Sequence, residues 1–154
     1  MNEIDAIKET IRLAGLKSIG KNNSTWTENL NKEFTIFGHN KGLHVYNKTE
    51  GSDWHEWLYD ITICKQDGEE ILEAYLVLES EWKTDDESIN EDFQKLLLCN
   101  SRFKVMVFDS RTDMIPNMLA QIKKYKNSNG IFILACHISN GKYEFIDYNC
   151  SSKQ

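Results

Sequence analysis

Residues 73–82 constrain this chain most. Ala74, Leu76 and Leu78 fall on one face of an extended strand, and Tyr75 and Val77 fall on the other. A strand apolar on both faces belongs inside a sheet that is covered above and below. Residues 104–108 repeat the signal, with Val105, Met106, Val107 and Phe108 in succession. The chain must therefore supply covering layers for at least two central strands.

The remaining periodicities supply them. Ile4, Ile7, Ile11 and Ala14 recur at helical spacing and stop at Gly15, predicting an amphipathic N-terminal helix. Thr25 and Glu28 stand in capping-box relation, and Trp26, Leu30, Phe34 and Phe37 recur every three or four residues, predicting a second helix. The rival reading is a short strand over 34–37. Residues 43–46 and 57–64 read as strands, and Asp67-Gly68 marks the turn before the central strand. Ser88 and Glu91 form another capping box, opening a helix with a stripe of Ile89, Phe93, Leu96 and Leu97 that ends near Asn100. A helix over 113–126 takes Pro116 in its first turn. Gly130 leads into a strand over 131–137, and Asn140-Gly141 joins it by a hairpin to 143–148. The order α-α-β-β-β-α-β-α-β-β predicts a single α/β (α+β) domain over 1–154 with a mixed central sheet.

Charge and cysteine usage narrow the function classes. Acids exceed bases, 24 to 18, for a net charge of −6, so nucleic acid can be met only at a local site. The longest apolar runs, such as 131–136, fall far short of the ~20 residues that span a bilayer, and residues 1–5 lack a signal peptide's order of basic then apolar residues. A cytoplasmic protein with no membrane partner is expected, and a protein partner or homodimer stays open. Cys64, Cys99, Cys136 and Cys150 are widely spaced, without zinc-ligand motifs, and read as reduced core thiols. His39, His44, His55 and His137 are scattered, and no nucleophile elbow or glycine-rich phosphate loop occurs.

The chemistry is concentrated in Leu76-Val77-Leu78-Glu79-Ser80-Glu81-Trp82-Lys83. Glu79 and Glu81 follow the apolar run at spacing i, i+2 and project from one face, where two like charges repel. A divalent cation resolves that repulsion, because magnesium prefers hard oxygen ligands and uses one or two carboxylates with waters and phosphates. The alternative is a strand that has emerged into solvent. Asp60 interrupts the apolar stretch Trp57-Leu58-Tyr59-Asp60-Ile61, where an unpaired carboxylate is costly to bury. Glu33 falls on the apolar stripe of the second helix. Together these acids suggest one shared site.

In this pattern the chain resembles the PD-(D/E)XK nuclease superfamily, the restriction-endonuclease-like fold, over roughly residues 25–108. The resemblance implies an αβββαβ core flanked by an extra N-terminal helix and by a C-terminal helix and hairpin. Asp60 matches the acid of the second strand, with Tyr59 in place of the usual proline. Glu79-Ser80-Glu81 matches the (D/E)-x-K tripeptide with Glu for Lys, while Glu81-Trp82-Lys83 offers a register that keeps the lysine. Glu33 matches an upstream helical acid found in some members. The implied activity is hydrolysis of DNA or RNA phosphodiesters with Mg2+ or Mn2+. Asp60, Glu79 and Glu33 would hold the ion, Glu81 or Lys83 would orient a water, and Gln94 and Lys95 on the next helix would assist with substrate. A catalytically silent interaction or regulatory module on the same fold is the alternative.

Further contacts are weighed on residue type alone. Trp54, Trp57 and Trp82 could sandwich a base, with core packing as the alternative for at least one. Lys123-Lys124-Tyr125-Lys126 could meet a phosphate backbone, or could simply complement a helix C-terminus. Hairpin register tests the site. A two-residue loop at Asp67-Gly68 sets Asp60 against Tyr75 and Glu79 against Glu56, leaving Glu79 about 13 Å along the strand from Asp60. A four-residue loop over 67–70, or a bulge with the same effect, pairs Gln66 with Ile71 and brings Asp60 diagonal to Glu79 at roughly 7–8 Å. The second arrangement is expected.

Overall fold

The computed structural model describes residues 1–53 and 55–152. Among them, four α-helices and a six-stranded mixed sheet make a mixed α/β architecture. Helix α1, Glu3–Ser18, is capped by Asn2, whose side chain accepts from the Asp5 N–H at 2.8 Å. It continues past Gly15, which is a contact residue and not a stop. A Cβ there would lie 2.9 Å from the Tyr143 ring and 3.2 Å from the Gly141 carbonyl oxygen, so glycine lets the helix lie against the β5–β6 turn.

Helix α2, Asn23–Asn40, is capped by Asn22, which accepts from the Thr25 N–H at 3.0 Å. The expected start at Thr25 is therefore three residues late, and residues 34–37 are helical. Strand β1, His44–Tyr46, is short. Strand β2, Ile61–Asp67, begins four residues later than the pattern suggested. Trp57 and Leu58 are 43% and 82% exposed on the β1–β2 connection, and Asp60 immediately precedes β2 without interrupting it.

Strand β3, Glu70–Glu81, is followed by α3, Asp86–Leu98, whose cap is Asp85 and not Ser88. Then come β4, Phe103–Asp109, a 3-10 turn, and α4, Ile115–Lys124, with Pro116 in its first turn as expected. Strands β5, Ile131–Ser139, and β6, Lys142–Asn149, close on Asn140-Gly141, both with positive φ (49° and 73°), as the hairpin signal requires.

Strand order follows chain order. β1, β2 and β3 form an antiparallel meander, the α3 and α4 crossovers make β3, β4 and β5 parallel, and β6 returns antiparallel. One face carries Ile61, Ile63, Leu76, Leu78, Val105 and Val107 under Ile7, Ile11, Leu30 and Phe34 of α1 and α2. The other carries Val77, Met106, Phe108 and Leu134 under Ile89 and Phe93 of α3 and Met118 and Ile122 of α4. The two-faced strands thus lie between two helical layers, as their sequences demanded. Cys64, Cys99, Cys136 and Cys150 are buried, and no disulfide joins them among the described residues.

The β2–β3 register departs from both simple alternatives. The expected Gln66–Ile71 pair is present, but Asp67 also pairs with Glu70 around a two-residue loop, Gly68-Glu69. Two irregularities then add one residue each to β3, so that Ile61 pairs with Leu78. A single bulge would have turned β3 over; two preserve its faces. Continued by one position, this register sets Asp60 directly across from Glu79.

Candidate functional site

The site lies at the end of the sheet where β3, β4 and β5 terminate, on the face covered by α3. Asp60 is fixed there by Ser80, whose backbone N–H and hydroxyl donate to its Oδ2 at 2.8 and 3.1 Å. Burial nevertheless raises the Asp60 carboxyl above its ordinary range, and Asp92 reinforces the shift against the Ser80 hydrogen bonds. Glu79 is only 2% exposed. Its Oε1 has no hydrogen-bond partner among the described residues, although the Lys95 ammonium lies 3.9 Å away. Burial, then Asp60 and Asp92, push this carboxyl up to about 9. At neutral pH Glu79 is accordingly protonated.

Glu81, two residues on, accepts from the Lys83 N–H at 3.1 Å. Its carboxyl is raised by burial first and then by a carboxyl–carboxyl contact with Asp92. Lys95 donates to Asp92 at 3.1 Å, and that bond, with Glu79 and Asp60 nearby, raises its ammonium's pKa despite partial burial. Glu56, on the β1–β2 connection, adds negative potential at Glu79 and pairs with Lys48 at 3.6 Å. Asp60, Glu79 and Asp92 thus gather around Lys95, with Glu81 against Asp92.

The structure brings together Asp60, Glu79, Glu81 and Lys95 from the sequence-derived set. Lys83 is exposed just beyond β3, and Gln94 is exposed on α3. Glu33 does not join them. It is buried as its helical phase indicated, but it pairs with Lys17 of α1 on the opposite face of the sheet. Asp92 was missed, and Glu56 entered only as the partner of Glu79 under a two-residue hairpin loop at Asp67-Gly68, although it acts on Glu79 in the observed register too. Asp92 had a readable signal, since it precedes Leu96 by one helical step and so sits at the rim of the buried stripe.

Nearby polar groups have structural partners. Arg111 ties the acidic turn after β3 by donating to the Thr84 carbonyl and to Asp86, each at 2.6 Å. On the α1–α2 face, His137 does have a partner: its Nδ1 lies 2.9 Å from Asp109, and its Nε2 accepts from the Gly141 N–H at 3.1 Å. With both ring nitrogens engaged, and Trp26 against it at 4.6 Å, His137 braces the hairpin. Trp82 packs on Trp26 and donates to Thr27 at 3.0 Å. Trp54 lies outside the described residues. Lys123 and Lys124 end α4, which runs away from the site, and Lys123 lies over the Tyr148 ring.

Among the described residues, no three His, Cys, Asp or Glu side chains are arranged to hold a metal ion, and no helix is long and apolar enough to cross a membrane. No family model, curated protein or solved structure matches the chain.

Proposed function

We propose that the chain is a divalent-metal-dependent phosphodiesterase acting on DNA or RNA, on the plan of the PD-(D/E)XK superfamily. The observation that carries this reading is Glu79: a carboxyl 2% exposed, with one oxygen unpartnered, across from Asp60 and beside Lys95. Leaving such a group unsatisfied is costly, and a hard cation removes the cost. Asp60 and Glu79 would hold Mg2+ or Mn2+, with water and substrate phosphate completing the coordination, since such ions take one or two carboxylates. When bound, such an ion polarises the phosphoryl oxygens and makes a coordinated water more acidic.

The chain's own residues divide the remaining work. Ser80 holds the Asp60 carboxylate in place through two hydrogen bonds. Lys95, anchored by Asp92, presents its ammonium beside Glu79 and takes the role left empty where Glu81 replaces the tripeptide lysine. Glu81, in contact with Asp92, accepts a proton from water. Glu33 and Gln94 have no part in this scheme, and exposed Lys83 meets only the substrate backbone.

A mixed DNA and RNA substrate with manganese tests the proposal. Wild type is expected to release fragments, and Glu79→Gln to be slower by at least about a hundredfold, the order of one lost electrostatic contribution. Intact substrate with both proteins would contradict it. A second reading, a silent interaction module, draws on the absence of a three-ligand cluster among the described residues and on Lys95 already facing Glu79. It predicts the intact result.

A further inference from the structure

The β1–β2 connection leaves two large apolar side chains in solvent beside the acidic cluster. Trp57 is 43% exposed and Leu58 82% exposed, although both had the pattern of strand residues. Single exposed apolar residues are ordinary, but an indole and an isobutyl group side by side on a loop that also carries Glu56 and Asp60 are not explained by packing. Nor is the indole loose. It stacks on Tyr46 with ring centroids 4.2 Å apart and planes only 4° from parallel. Tyr46 is itself 8% exposed and anchored by its hydroxyl, which donates to Gln66. One face of Trp57 is therefore covered by a fixed ring, and its exposure falls on the other face and the edge.

We propose that the Tyr46–Trp57 stack is a platform for an unpaired nucleobase, so that the nucleic acid taken is single-stranded or locally unpaired at the site. This rests on the nuclease reading only for where the neighbouring phosphate lies. The charge around the platform selects the base over the phosphate. A cleft of about 450 Å³ beside it is lined by His44, Tyr46, Asp53, Trp57, Gln66 and Glu69. Asp53 and Glu69 repel a phosphate; the Asp53 Oδ2 already accepts from the Val45 N–H at 2.7 Å and meets the His39 Nε2 at 2.8 Å, which leaves its other oxygen and Glu69 to accept from the amino groups on a base edge. Asp53 is held in its anionic form: burial opposes its charge, but the Val45 N–H and His39 outweigh burial and bring its carboxyl below the usual range. A flat, neutral, donor-bearing ring fits this lining, and stacking on an aromatic face tolerates any base. A base inside a duplex has both faces occupied and cannot reach it. Leu58, 82% exposed, follows Trp57 in the chain and is the residue that would wedge the next base apart.

The test is binding of labelled oligonucleotides to the full chain in EDTA, followed by fluorescence anisotropy, with cleavage in manganese assayed in parallel. The probes are a single strand, the same strand in a blunt duplex, and the same strand with abasic sites. The expected result is binding of the single strand at least about tenfold tighter than of the duplex or abasic strand. Trp57→Ala should lose about tenfold while Trp57→Phe keeps most of the affinity, with an unchanged thermal midpoint. Equal affinity for the three probes, no binding to any of them, or an unaffected Trp57→Ala overturns the platform. So does selective capture of an apolar peptide in place of the single strand. The two proposals fail separately. Trp57-dependent single-strand binding without cleavage keeps the platform and removes the nuclease. Cleavage indifferent to strandedness and to Trp57 does the reverse.

Discussion

At the scale of residues, Glu79 makes the sharpest prediction. Its folded-state pKa of about 9 lies above the ordinary carboxylate value, so the native state binds more protons than the unfolded chain between those limits. The stabilising contribution is complete below the unfolded pKa and is lost as pH rises toward 9. Asp60, also raised, acts in the same sense. In EDTA, urea unfolding should show wild type losing on the order of 3 kcal/mol between pH 5 and 8, with Glu79→Gln nearly flat over that range. A wild type that gains stability on this rise would mean Glu79 is ionised and paired. The charged residues that interrupt apolar runs were readable, since burial makes Asp60 and Glu79 anomalous in any fold of this pattern. Glu33 was anomalous too, and it is buried. Helical phase reports that a side chain faces inward, however, and not which side of a sheet its helix covers, and Lys17 was there to meet it.

At the scale of elements, helix existence was plain and helix starts were not. Ser and Thr three residues before an acid look like caps, yet Asn22 and Asp85 stand three residues earlier with side chains that cap equally well. Asp85→Ala should therefore lower the midpoint of chemical denaturation, and Glu91→Ala should leave it close to unchanged. Gly15 invites the opposite test. In an exposed helix interior Gly→Ala gains up to ~1 kcal/mol, but here the new methyl meets the Tyr143 ring and the Gly141 carbonyl. A lower thermal midpoint for Gly15→Ala is expected, and a higher one would show that the hairpin yields. The β2–β3 register was legible only up to Gln66–Ile71. The two irregularities beyond it leave no mark in an alternating pattern, because together they return every side chain to its original face.

At the scale of the whole molecule, the order of elements and the two-sided burial of β3 and β4 were legible because both follow from apolar periodicity. The meeting of β2, β3 and α3 at one end of the sheet was not, since it depends on where a loop delivers Asp60. Burial on this scale also protects the thiols, and it pushes the Cys64 thiol up to about 11, where thiolate is scarce at neutral pH. Native protein should react slowly with a thiol reagent, whereas denatured protein should titrate all four cysteines; fast native labelling would mean that the layers open. The central claim is that the acids at that end of the sheet are metal ligands. Calorimetric titration with manganese tests it most directly. Wild type should bind with an affinity that rises with pH, as the ion displaces the proton on Glu79, and Asp60→Asn and Glu79→Gln should each abolish the heat. Equal heats from wild type and both variants, or none from wild type at pH 8, would contradict it.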